Sequence, residues 1–380
     1  MNTTVDFNLE KASVRIPAAQ KHDKAPFYPQ LNGWRFVFVF FVLIHHWGPQ
    51  HFFEQYRFGW LGVDLFFVLS GFLIGEILLI EKGKTENRLR SIGNFVMRRT
   101  LRIFPLYYLT IFLYSALVTT GGIFLWNITY TNNILQAIDL ERVSEEFWHL
   151  WSLCVEEQFY LFFPFFIFFV PRKNIFTVLL AGIAVAVAGR FIGTSVFNNT
   201  ASYTLMPLCL DSLFAGVLLA YLKTYYTEKL QAFFQKKWMV ISGVAIAAIA
   251  LLGLCYSQND LAIYSGFRFF GSALGFLLIG YSVKIGYKGI IKSFLQNPFI
   301  ALLGKISYGI YLLHPFIEKI YYKYADVNPV RNFLIGLEQP FISNRYVIDF
   351  LFLFLATISI SYLSFQLIEK RFLKLKLLFS

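Results

Sequence analysis

The 380-residue chain is 57% hydrophobic and 19% aromatic, and only 15% of it is charged. So little polar surface cannot cover a soluble globule, which leaves a polytopic membrane protein. The net charge of +12 is what cations gathered on one side of a bilayer produce, so membrane lipid is an expected partner and nucleic acid is not.

Residues 1 to about 30 are polar, hold Pro17 and Pro26, and are expected to form a flexible cytoplasmic tail without a cleavable signal peptide; 31–380 reads as one membrane domain. Apolar stretches near the ~20 residues that cross a bilayer occupy about 34–49, 59–80, 104–126, 147–170, 175–195, 203–223, 238–256, 264–284, 299–322 and 346–368. That pattern predicts an all-α fold of about ten transmembrane helices. Basic residues crowd alternate connections: Lys11, Arg15, Lys21 and Lys24 in the tail, Lys82 to Arg102 after the second span, then Arg172 and Lys173, Lys223 to Lys237, Lys284 to Lys292, and Lys370 to Lys376. Both termini are therefore predicted to be cytoplasmic. The largest external connections are expected at about 127–146 and 323–345, the second a loop because of Pro329, Gly336 and Pro340.

In the first span, Arg35 and His46 lie eleven residues apart within GWRFVFVFFVLIHHWG. Eleven helical steps return to the same face, with about 16 Å between the two side chains along the axis. Ionisable groups inside a membrane helix are costly, so an aligned pair reads first as a functional site. The second span puts Asp64 near its external end, at the depth expected for His46. There it can hold the imidazole as a catalytic partner, cap its own helix, or pair with Arg35 or another span. Gly71 and Gly75 form a GxxxG on the face of Asp64, a pattern for close helix approach.

Between the second and third spans, RLRSIGNFVMRRTLRIFP has apolar residues at helical spacing among arginines, as suits the cytoplasmic membrane interface. Its Arg98, Arg99 and Arg102 can clamp a phosphate-rich ligand or serve as a stop-transfer cluster. The fourth span sets His149, Ser152, Glu156 and Tyr160 on one polar stripe, and Glu156 with Glu157 calls for buried cations such as Arg35, Arg190 or Arg268. The ninth span aligns Ser307, Tyr311 and His314, a second candidate histidine or a packed one; Asp211 and Glu369 are weaker candidates. Cys154, Cys209 and Cys255 have no disulfide or metal spacing, and there is no HExxH, Walker, GxGxxG or G-x-S-x-G motif, so no metal is expected.

Taken in order, these strings resemble the acyltransferase-3 family of integral membrane acyltransferases. The resemblance spans about 28–375 and rests on Arg35 with His46, GVDLFFVLSGFLI from Gly62, RRTLRIFPLYYL from Arg98, HLWSLCVEEQFYLFFP from His149, ISYGIYLLHPF from Ile306 and FQLIEKRF near the C-terminus. The chain departs from the family pattern at Cys154, where Ser is common, at Cys209, where Arg is common, and at Arg371, where Pro is usual.

The resemblance implies transfer of an acyl group, commonly acetyl, from cytoplasmic acyl-CoA to a hydroxyl of a carbohydrate or lipid-linked sugar, in a bacterial inner membrane and with no permanently bound cofactor. It carries the essential catalytic role to His46 and that of its motif partner to Arg35, and the cytoplasmic Arg98, Arg99 and Arg102 would suit the phosphates of CoA. The residue pattern itself adds Asp64 and Glu156 as candidate catalytic partners and places Arg35 at the cytoplasmic edge, beside the expected acyl-CoA site. The alternative class is a transporter of a polar or anionic solute, against which the absence of an internal repeat weighs.

Overall fold

A computed structural model describes residues 27–48, 57–117, 122–196, 199–257, 259–336 and 345–379, and among these it is helical without strands. The helices that carry the site and its scaffold are α1 Pro29–Trp47, α2 Phe58–Lys82, α3 Arg88–Leu117, α4 Leu150–Phe169, α5 Arg172–Val196, α6 Leu210–Tyr225, α7 Lys237–Cys255, α8 Asp260–Lys284, α9 Pro298–Lys305, α10 Ser307–Tyr324 and α11 Arg345–Ser364. Among the described residues seven helical segments are long and apolar enough to cross a membrane, or up to eight if the bent pair α9 and α10 is one span. Ten stretches were predicted. Two of them do not belong to that set: the first, α1, whose polar residues at both ends leave only a short apolar middle, and the third, which falls on the arginine-rich α3.

α2 is the axis of the bundle. Its apolar stretch is 72% buried, against 17% for α7 and 22% for α5 at the periphery. The predicted close approach at the GxxxG is real: a Cβ on Gly71 would run into the backbone of Leu213 in α6, and one on Gly75 would lie 3.1 Å from Val217 Cα. Gly216 answers from α6, where a Cβ would meet the Val68 carbonyl. Removing side chains on both faces lets the backbones touch, which gains dispersion contact where lipid supplies no hydrophobic drive.

Three connections differ from expectation. The arginine-rich interfacial segment is not a separate element: it runs unbroken into the third predicted stretch as α3, burying Ile92 and Phe95 and leaving Leu89 exposed. The connection expected outside at 127–146 turns back into the bundle, where the Tyr107 hydroxyl donates to Asn127 O at 2.7 Å. Tyr107 lies about 15 Å along the helix from its Leu117 end. Backbone at such depth must be enclosed by protein, and here the amides close on one another: Asn132 Nδ2 to Asn127 Oδ1 at 2.7 Å, Gln136 Nε2 to Trp148 O at 2.9 Å, and Gln158 Nε2 to Asn133 Oδ1 at 2.9 Å.

The predicted loop 323–345 contains a short helix, Pro329–Ile335, capped by Asn328 and ended by Gly336. Arg331 on it pairs with Asp349 at 2.6 Å, and that hydrogen bond raises the Arg331 pKa above its ordinary value. Pro340 lies outside the described residues, as does the predicted tail up to Pro26. The last residues of that tail are packed: the Tyr28 hydroxyl donates to Glu76 at 2.6 Å and Gln30 Nε2 to Tyr287 O at 3.0 Å.

The ninth predicted span is broken. Asn297 caps α9, accepting from Phe299 N at 2.9 Å, with Pro298 set for the first helical turn. After Lys305 the chain bends by 68° and continues as α10. At Gly304 a Cβ would overlap Asn32 O, so the bend is pressed against the start of α1. This contact sets the height of α10, and with it the positions of Tyr311 and His314 relative to α1.

Candidate active site

A cavity opens between α1, α2, α3, α4 and α10. At one end stand Arg35, Arg99 and Arg102; the α4 stripe contributes Ser152, Glu156 and Tyr160 to the wall, and α10 contributes Ser307, Tyr308 and Tyr311. Helical spacing makes this wall: residues three and four apart share a face, so each stripe reaches the same space from base to top. The Tyr160 hydroxyl links the stripe to α2, donating to Glu156 Oε2 at 3.2 Å and lying 2.5 Å from Ser70 Oγ.

Above the cavity are three histidines. His46 and His314 have ring centroids 4.8 Å apart, and His149 lies 5.3 Å from His314. Tyr311 joins the two levels: it lines the cavity, its hydroxyl lies 2.6 Å from Ser152 Oγ, and its ring is 5.8 Å from that of His314. His314 and His149 are buried, at 0% and 5% exposure, while His46 is solvent-accessible. Arg35 and His46 thus mark the two ends of one polar track, the order their spacing on a single helix predicts.

Asp64 is not part of this track. A Cβ on Gly59 of α2 would meet the His45 ring at 2.6 Å and one on Gly62 would meet Phe38 O at 2.6 Å. This register puts Asp64 about 7 Å deeper than the level of His45. The expected match in depth with His46 therefore fails, and no pairing of the two forms. Asp64 instead faces Arg268 Nε at 3.3 Å, both fully buried. Arg268 also donates to Tyr203 O at 3.0 Å and lies 4.2 Å over the Tyr203 ring.

Two other expected roles change. Arg98 points away from the cavity, donating to Glu81 at 2.6 Å and to the Phe379 carbonyl at 2.7 Å. Successive helical residues diverge by about 100°, so one residue of Arg98–Arg99 must leave the face that Arg99 and Arg102 share. Arg190 and Arg268 do not serve the paired glutamates: Arg190 grips Asp211 with two hydrogen bonds, at 2.8 and 2.5 Å, and also donates to Leu208 O. Arg35 is the one of the three suggested cations that shares the cavity with Glu156.

Glu157 faces elsewhere, into a second cavity with Gln158, Tyr130 and Thr100, and Arg99 and Tyr160 belong to both walls. Ser70 and Tyr308 were missed because a single hydroxyl in an apolar string gives no pattern. The meeting of His314 and His149 with His46 joins three distant segments, though each was legible as the end of a polar stripe. Among the described residues no three or more His, Cys, Asp or Glu side chains stand in a metal-holding arrangement.

Fold and cavity define a multi-pass helical membrane protein with an arginine-based chamber leading to a histidine cluster. A family model described as "Acyltransferase domain" matches residues 28–366, and the chain belongs to that family. It is 28% identical over 380 residues to "Putative O-acetyltransferase SACOL0978" of Staphylococcus aureus (strain COL), covering 93% of this chain and 58% of that protein. It is 29% identical over 325 residues to "O-acetyltransferase OatA" of Staphylococcus aureus (strain NCTC 8325 / PS 47), covering 76% of this chain and 50% of the relative. The chain thus spans between half and three fifths of the length of these relatives. No solved structure matches it.

Proposed function

We propose that the protein is an O-acyltransferase that moves an acyl group, acetyl in the first instance, from cytoplasmic acyl-CoA to a hydroxyl of a carbohydrate or lipid-linked sugar. The observation that carries this reading is a juxtaposition: the cavity walled by Arg35, Arg99 and Arg102 is also walled by Tyr311, whose ring lies against His314, itself beside His46. Phosphates of the donor suit the arginines, because guanidinium groups match phosphate oxygens with paired N–H donors. The pantetheine arm follows the mostly apolar wall of Phe66, Phe67, Leu69 and Leu73 toward the histidines. The names of the relatives, O-acetyltransferases both, support acetyl as the group moved.

In the simplest mechanism His46 is the general base. Its Nδ1 lies 2.9 Å from Val42 O, a carbonyl that can only accept, so Nδ1 carries the hydrogen and Nε2 offers its lone pair. Nε2 takes the proton of the acceptor hydroxyl as the oxygen attacks the thioester carbonyl. The C–S bond then breaks, and the imidazolium returns the proton to the CoA thiolate. General-base assistance of this kind is worth about 10²–10⁴ in rate.

The test is acyl transfer by the purified protein supplied with labelled acetyl-CoA and membrane glycolipid extract. His46→Ala should lower transfer by at least about a hundredfold while its thermal unfolding is unchanged. Retained turnover removes His46 from the mechanism, and solute flux in vesicles without CoA would instead favour a transporter.

A further inference from the structure

His314 holds a buried hydrogen-bond acceptor that the mechanism above does not use. Its Nδ1 lies 2.7 Å from the Tyr311 carbonyl. A carbonyl has no hydrogen to give, so Nδ1 is the N–H of a neutral ring and Nε2 carries the lone pair. That Nε2 is buried, on a side chain with 0% exposure, and has no hydrogen-bond partner among the described residues. An orphaned acceptor in a membrane protein's interior is costly and calls for a specific reason.

The surroundings narrow the reason. The ring of His46 is 4.8 Å away, fixed by its own carbonyl contact with its Nε2 also left as an acceptor. Trp47 and His149 flank His314 at 6.1 and 5.3 Å. His149, buried like His314, has its Nε2 3.2 Å from Leu312 O. The Trp47 indole N–H is already committed to Glu318 at 3.2 Å. Among the described residues His46 and His314 therefore offer lone pairs and no free donor, which rejects an anion and suits a ligand rich in O–H groups. A single alcohol satisfies one ring only. Two hydroxyls on neighbouring carbons satisfy two rings that stand side by side.

We infer that His314 is a recognition residue for the acyl acceptor, its Nε2 taking a hydrogen bond from the hydroxyl adjacent to the one that His46 deprotonates, so that the protein selects vicinal diols. This rests on the acyltransferase reading and gives the acceptor site its chemical class. The proton inventory closes: the hydroxyl at His46 loses its proton to Nε2 and becomes the ester oxygen, while the hydroxyl at His314 keeps its own and is released unchanged with the product.

The experiment compares two small probe acceptors, propane-1,2-diol and propan-1-ol, with the full chain and acetyl-CoA, alongside equilibrium binding of acetyl-CoA. The wild type should favour the diol in kcat/KM by about tenfold, the share of one hydrogen bond to a buried acceptor. In His314→Phe that ratio should fall to about one, whatever the rate common to both alcohols, and His314→Gln, whose side-chain oxygen can accept, should recover part of it. A wild type without diol preference overturns the inference. So does a His314→Phe ratio equal to the wild type's, or loss of both reactions alike in both variants, which would make His314 necessary for chemistry and not for recognition. In all these cases acetyl-CoA binding persists; a wild type that binds no acetyl-CoA overturns the donor reading itself.

Discussion

The interior of this bundle holds charges of two kinds, and they differ in what faces them. Arg190 and Asp211 meet fork against carboxylate with side-chain exposures of 0% and 1%; Arg268 and Asp64 are equally buried and face each other at 3.3 Å, without a hydrogen bond between them. Arg35, Arg99 and Arg102 are half-buried and line open space, and among the described residues none of the three forms an ion pair. A charge inside a membrane protein is therefore not in itself the mark of a site. A guanidinium closed by a carboxylate ties helices together; one aimed into a cavity has its hydrogen-bonding capacity in reserve for a ligand.

The sharpest way to break this distinction is to open a closed pair. Asp211→Ala leaves the Arg190 guanidinium buried with only Leu208 O to accept from it, and an uncompensated buried charge costs about 3–5 kcal/mol. The expected outcome is a large drop in the thermal midpoint or loss of folded protein. The double change Arg190→Met with Asp211→Leu removes both charges and should recover most of that loss. If Asp211→Ala alone unfolds like the wild type and loses acyl transfer instead, the pair belongs to the site and the distinction falls.

The middle-sized effect tests the open charges. Arg102→Gln and Arg99→Gln each remove a cation from the base of the cavity without stranding a partner. Thermal stability should change little, whereas affinity for CoA should fall about tenfold or more, since a hydrogen bond to a charged group contributes about 1.5–3 kcal/mol. The affinity of the wild type should also weaken with salt. CoA titration of the two variants at two ionic strengths measures both. Equal affinity across wild type and variants would remove the arginines from the donor site.

What could be read from the sequence follows the same division. Helical spacing alone identified the stripes His149–Ser152–Glu156–Tyr160 and Ser307–Tyr311–His314, because on a helix the face of a residue is fixed by its position. It also found the GxxxG at Gly71 and Gly75, whose packing is written in the lack of a side chain. Asp64 was misplaced because its depth depends on the register between α1 and α2, set by Gly59 against His45 and Gly62 against Phe38. No spacing along one strand of sequence contains that register. The inward turn of 124–138 was hidden for a related reason. Asn127, Asn132, Asn133 and Gln136 read as a polar external connection, and only hydrogen bonds among Asn127, Asn132 and Gln136, and from Asn133 to Gln158 of α4, satisfy them inside.

The smallest expected effect belongs to Arg98, the arginine that composition groups with its neighbours and geometry separates from them. Its guanidinium is spent on Glu81 and on the Phe379 carbonyl, with side-chain exposures of 23% and 28% for the ion pair. A pair so near the surface contributes at most about 1 kcal/mol, reduced further by salt. Arg98→Gln should therefore lower the thermal midpoint slightly and leave CoA affinity within about twofold of the wild type, in contrast to Arg99→Gln one residue on. The two variants differ in charge by the same amount and in position by one helical step of about 100°. A simple electrostatic attraction of CoA to a basic surface would weaken equally in both, so a matched loss of affinity would mean that the arginines act as a cloud of charge. A loss confined to Arg99 would mean that they act as a site.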